Sequence, residues 1–97
     1  MITCAIIDDE PLAVTLLESY VKRVPELDLK GKYLGAREAL AALTEEPMDL
    51  VFLDIQMPEL TGLELSRQLP AQTYVIFTTA YSQYAMAYRS FRVLKSL

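Results

Sequence analysis

The residues able to do chemistry sit in three short segments, each directly behind an apolar run. Asp8, Asp9 and Glu10 follow Ile2 to Ile7, Asp54 follows Leu50 to Leu53, and Thr78 and Thr79 follow Tyr74 to Phe77. If the three runs are strands of one sheet, their carboxylates and hydroxyls meet at a single edge. Carboxylates crowded to within a few ångströms repel one another, which raises their pKa values and lowers stability until a cation neutralises them. The chain has no histidine, and Cys4 is its only cysteine. An all-oxygen donor set suits Mg²⁺, which keeps several waters and is held by one or two carboxylates together with phosphate oxygens. Asp8 and Asp9 have an equally good structural reading, as the turn and N-cap region of a helix beginning at Pro11. Asp54 has no such duty, because it stands between an apolar run and a Met57-Pro58 turn.

The elements that must position these residues follow from the patterning. Four apolar runs, Ile2 to Ile7, Leu27 to Tyr33, Leu50 to Leu53 and Tyr74 to Phe77, alternate with segments of helical spacing, which predicts an α/β fold. The first, third and fourth are nearly continuous in apolar residues, as parallel strands covered on both faces are. The second alternates Leu27, Leu29, Gly31 and Tyr33 with Asp28, Lys30 and Lys32, the mark of an edge strand.

The first helix is predicted to start at Pro11, to bury Ala13, Leu16, Leu17, Tyr20, Val21 and Val24, and to stop before Pro25. A second covers Ala36 to Glu45. Thr61-Gly62-Leu63-Glu64 has the spacing of a capping box and opens a third helix that ends near Pro70. No glycine or proline interrupts Ala80 to Leu97, where Tyr84, Ala87, Tyr88, Phe91 and Leu94 recur at helical spacing; this predicts one long helix, with a shortened strand through Phe91-Arg92-Val93-Leu94 as the alternative. Right-handed crossovers then give an open, doubly wound parallel sheet, whose ligand site lies at the carboxyl ends of the central strands.

Composition narrows the function classes. Ninety-seven residues, 53% hydrophobic and 23% charged, describe one globular domain. Serine–histidine catalysis, an internal disulfide and a cysteine-based zinc cage are all excluded. No apolar run approaches the roughly 20 residues that cross a bilayer, and the start lacks the basic region of a signal peptide, so a cytoplasmic protein without membrane contact is expected. All 13 acidic residues lie at or before Glu64, and Arg67, Arg89, Arg92 and Lys95 are the only charges after it. Four basic residues so spread make a poor nucleic-acid footprint, and no DNA binding by them is expected.

Taken together, Ile-Ile-Asp-Asp-Glu-Pro, Phe-Leu-Asp-Ile-Gln-Met-Pro and Ile-Phe-Thr-Thr-Ala-Tyr, in this order and spacing, resemble the receiver domain of two-component response regulators over residues 1 to about 88. Thr61-Gly62-Leu63-Glu64-Leu65 and Tyr81-Ser82-Gln83-Tyr84-Ala85 are similar to its LytR/AlgR (LytTR) subgroup, whose members carry a DNA-binding domain downstream. The resemblance implies a flavodoxin-like receiver fold with strand order 2-1-3-4. It makes Asp54 the phosphoacceptor, Asp8 and Asp9 the acidic pocket for Mg²⁺, Gln56 the source of a backbone carbonyl ligand and Thr79 the switch hydroxyl. Pro58 would shape the loop after Asp54, and Met57 would fill space. The partner implied is a sensor histidine kinase, whose phosphohistidine is attacked by Asp54. The domain would catalyse its own aspartyl phosphorylation and nothing more.

The tail from about residue 89 to 97 departs from the family. Receivers end a fifth strand in Lys-Pro and continue into a fifth helix, whereas the nearest match here is Lys95-Ser96, 16 residues after Thr79, with Arg92 where an aromatic residue often stands. The expectation is a C-terminally truncated single receiver domain with its fifth strand and helix absent or altered. Lys95 is either the phosphate partner or a solvated lysine. The sheet surface left uncovered predicts a homodimer through the tail, anchored by Tyr88, Phe91 and Leu94. A receiver-derived interaction module without phospho-signalling is the alternative function. An Asp-x-Asp phosphatase fits less well, because Asp54-Ile55-Gln56 lacks the second carboxylate.

Overall fold

The computed structural model describes residues 1–78 and the backbone of residues 93–96. The described elements run β1 (Ile2–Ile7), α1 (Pro11–Val21), β2 (Leu27–Tyr33), α2 (Ala36–Glu45), β3 (Leu50–Leu53), α3 (Gly62–Gln68), β4 (Tyr74–Phe77) and β5 (Val93–Ser96). All five strands are parallel, in the order β2-β1-β3-β4-β5. The order 2-1-3-4 is as expected, and β2, with its alternating charges, does form an edge.

Successive side chains of a strand point to opposite faces, and here both faces are buried. Ala5 and Ile7 of β1, Val51 and Leu53 of β3, and Val75 and Phe77 of β4 pack on one side against Ala39 and Leu43 of α2 and Leu65 of α3. Cys4 and Ile6, with Leu50 and Phe52, pack on the other side against Val14 and Val21 of α1. This double cover explains why the three runs read as continuously apolar rather than alternating.

Helix limits follow local chemistry. Pro11 occupies the first turn of α1 without leaving an N–H unused. Thr61 and Glu64 form the predicted capping box of α3: Thr61 Oγ1 accepts from the Glu64 N–H at 3.2 Å, and Glu64 Oε1 accepts from the Thr61 N–H at 3.0 Å. At the opposite end of the sheet, Asp49 Oδ2 accepts from both the backbone and the hydroxyl of Thr3, fixing the β1–β3 register.

Two expectations need correction. The stripe of α1 that faces the core is buried Val14 and Val21 with half-buried Leu17, while Leu16, Tyr20 and Val24 are exposed at 52%, 50% and 42%. At 100° per residue the stripe i, i+3, i+7 from Val14 faces the sheet, which turns Leu16 and Tyr20 onto the flank. The long C-terminal helix is also overturned where it can be judged. Val93–Ser96 is a short fifth strand, as the alternative reading of the tail had it though two residues further on, paired with β4 through Val75↔Val93, Ile76↔Lys95 and Phe77↔Ser96. The open edge of β4 offers backbone N–H and C=O groups that a strand satisfies and a helix does not. Thr79, Tyr81, Tyr84, Tyr88, Phe91 and Arg92 lie outside the described residues.

Candidate metal and phosphoacceptor site

The site is built on one cross-sheet row. Ile7, Leu53 and Phe77 are register partners on β1, β3 and β4, so the residues after them, Asp8, Asp54 and Thr78, emerge together at the carboxyl edge. The hydrogen-bond ladder continues one residue past the strands. The Asp8 N–H donates to Tyr33 O at 3.1 Å, the Asp54 N–H to Ile7 O at 3.0 Å and the Thr78 N–H to Leu53 O at 3.0 Å. The edge lies where the chain reverses its direction of travel across the sheet, between β1 and β3, the place where open parallel sheets bind ligands.

Here one carboxylate oxygen from each of Asp8, Asp9 and Asp54 falls within 4.8 Å of the others. Asp8 is buried, 5% exposed, and its Oδ1 accepts from the Glu10 N–H at 2.9 Å. The Asp8 carboxylate thus shapes the turn into α1 and also faces the cluster. The N-cap of α1 is Glu10, without a side-chain cap. Asp54 Oδ1 accepts from the Gln56 N–H at 3.3 Å.

The electrostatics follow from the crowding. Burial, then the Asp8 charge, pushes the Asp54 carboxyl from 3.8 to about 6, against the opposing Gln56 N–H. Burial also raises Asp8, opposed by the Glu10 N–H and reinforced by Asp9. A set of hard oxygens with too little positive charge near it is the environment a divalent cation completes, so the residues present fit Mg²⁺.

The loop after Asp54 is fixed from several sides. Ile55 and Met57 are buried in the core, so Met57 does fill space. The Leu60 N–H donates to Pro58 O at 2.7 Å across a three-residue turn centred on Glu59, whose φ of 68° is left-handed. The Gly62 N–H closes the loop on Ile55 O at 2.8 Å. Sequence reasoning missed the Glu59 turn, since glutamate carries no signal for positive φ. The Thr78 hydroxyl, at the end of β4, is buried and has no partner among the described residues. Lys95 is placed one register step short of the edge row, beside Ile76.

Comparison with known proteins agrees with this fold. The profile of the response regulator receiver domain matches residues 4–94. A response regulatory protein of Vibrio vulnificus is 42% identical over 88 residues, covering 89% of this chain and 36% of its own length. The transcriptional regulatory protein BtsR of Escherichia coli is 36% identical over 88 residues, covering 89% of this chain and 37% of its own. The chain thus spans little more than a third of the length of the curated relatives it matches. Among solved structures, the receiver domain of the histidine kinase CKI1 from Arabidopsis thaliana, complexed with Mg²⁺, superposes with a TM-score of 0.82 at 20% identity, covering 99% of this chain and 81% of that one. At that identity the likeness shows the fold.

Proposed function

Since the chain belongs to the response regulator receiver domain family, we propose that it is a phosphorelay switch in which Asp54 accepts a phosphoryl group from the phosphohistidine of a sensor kinase. The observation that carries this reading is the position of Asp54, beside Asp8 and Asp9 at the end of a central strand. A carboxylate oxygen of Asp54 attacks phosphorus as the P–N bond breaks; the imidazole keeps the bonding electron pair and takes up a proton from solvent, leaving an aspartyl phosphate. Asp8, Asp9, Asp54 and the Gln56 backbone carbonyl would hold Mg²⁺, which when bound would neutralise charge on the phosphoryl oxygens. Asp8 is orientated for its part by the Glu10 N–H, and the ladder bond from Asp54 to Ile7 holds the nucleophile in line with the strand.

Thr79 is proposed as the switch hydroxyl and Lys95 as the phosphate partner, the latter supported by its place near the carboxyl end of β5. Residues 1–97 are read as one receiver domain of LytTR type with an atypical tail from about residue 89. DNA would be reached only through a further domain of a cytoplasmic transcriptional regulator. Among the described residues no helix is long and apolar enough to cross a membrane. A homodimer through the C-terminal tail belongs to the same proposal; an apolar groove of about 280 Å³ beside α1, lined by Leu17, Tyr20, Val24, Leu50, Phe52 and Ile76, offers a surface for the partner's tail to cover.

Mass spectrometry after treatment with acetyl phosphate and Mg²⁺ tests the central claim. A hydroxylamine-labile phosphoryl adduct on Asp54, absent from Asp54→Asn, is expected. An unlabelled chain that still binds Mg²⁺ would instead favour the interaction module.

A further inference from the structure

Gly62 is buried at the first position of α3, directly beneath the backbone that carries Asp54. A Cβ there would overlap the Asp54 carbonyl oxygen and would stand 2.8 Å from both the Asp54 carbonyl carbon and Ile55 Cα. Those are backbone atoms, held by the Asp54 N–H bond to Ile7 O, so no side chain can swing aside to make room. Gly62 also donates its N–H to Ile55 O at 2.8 Å, and its own place is set by the Thr61–Glu64 capping box on one side and by buried Leu65 on the other. Two rigid bodies, β3 and α3, therefore meet through a contact that only a residue without Cβ permits.

We propose that Gly62 is a positioning residue for the phosphoacceptor: the start of α3 acts as a stop against the Asp54–Ile55 peptide and so sets where the Asp54 carboxylate and the following loop stand relative to Asp8 and Asp9. The inference rests on the phosphoacceptor reading and adds a determinant outside the acidic cluster. Adding a methyl must move either the helix or the peptide. A displacement of about 1 Å in a positioned reacting group is enough to cost on the order of 100-fold in rate.

The test compares Gly62→Ala with Ala39→Gly, a buried α2 control that lowers stability away from the site. The readouts are the metal-free amide NMR shifts of residues 54–56, the Mg²⁺ dissociation constant by calorimetry, and acetyl phosphate labelling at saturating Mg²⁺. Gly62→Ala is expected to shift the amides, weaken Mg²⁺ at least tenfold and slow labelling further, whereas Ala39→Gly lowers the melting temperature and changes none of the three. Amide shifts and Mg²⁺ affinity equal to the parent's would overturn the proposal. If the parent itself neither binds Mg²⁺ nor is labelled, the phosphoacceptor reading fails separately, and amide changes confined to α3 would still dispose of the positioning role. Should Gly62→Ala not fold, Thr61→Ala keeps the glycine but loosens its seat; a two- to threefold weaker Mg²⁺ constant is expected, and an unchanged one overturns the proposal.

Discussion

Asp54 is held in a state that opposes its own ionisation, and that has a measurable signature. Its folded pKa of about 6 lies above the ordinary 3.8, so the folded chain binds more protons than the unfolded chain between those values. Stability therefore falls as pH rises through that window, and the penalty is fully present above it. Asp8 is raised as well and acts with the same sign. Without metal, Asp54→Asn should be more stable than the parent by about 1 kcal/mol at pH 7.5, allowing for solvent screening of a half-buried group. For a domain of this size that is about 4–8 °C in melting temperature. The gap should close at pH 4, and millimolar Mg²⁺ should close it at pH 7.5 by stabilising the parent alone. Thermal melts at the two pH values decide the matter, and a gap of equal size at both would remove the electrostatic account.

At the scale of elements, the loop between β3 and α3 carries backbone strain found nowhere else among the described residues. Glu59 is the only described non-glycine residue with positive φ, at 68°, a conformation that costs a residue with a Cβ roughly 1–2 kcal/mol. Its carboxylate pairs with Arg37 Nε at 3.7 Å, but both side chains are largely exposed, so that contact contributes little. Glu59→Gly should raise stability by about 0.5–1 kcal/mol, the relief of the left-handed backbone exceeding the added unfolded-state entropy. Chemical denaturation reads this directly; a variant less stable than the parent would mean that the Arg37 contact, rather than the backbone, governs the turn.

The whole molecule has one asymmetry that the site does not explain. Among the described residues, one face of the sheet is closed by α2 and α3, whereas on the other α1 leaves an apolar groove, with Tyr20 and Val24 exposed along its rim. Contiguous apolar surface of this kind is uncommon on monomers. The proposed homodimer should appear in sedimentation as a concentration-dependent dimer in the micromolar range, and Tyr20→Lys, on the rim, should shift it to monomer without unfolding it. A parent that stays monodisperse and monomeric at high micromolar concentration would exclude it.

The existence of β1 to β4 and of α1 to α3, the edge character of β2, the capping box of α3 and the convergence of Asp8, Asp9 and Asp54 were all determined by the sequence itself. Each rests on a local signal: a run buried on two faces, an alternation of charge, a hydroxyl three residues before a carboxylate, or an acidic residue immediately after a strand. What the tertiary structure decided is non-local. The face that α1 buries depends on how the helix lies across Cys4, Ile6 and Phe52, and rotating the stripe to Val14, Leu17 and Val21 costs nothing that local spacing can register. Residues 93–96 have helical spacing yet form β5, because the unpaired edge of β4 supplies partners that a sequence window does not contain. The elevated pKa of Asp54 and the close approach of Gly62 to its peptide arise in the same way. Both depend on distances between segments separated along the chain, and only the folded sheet and its helices fix those distances.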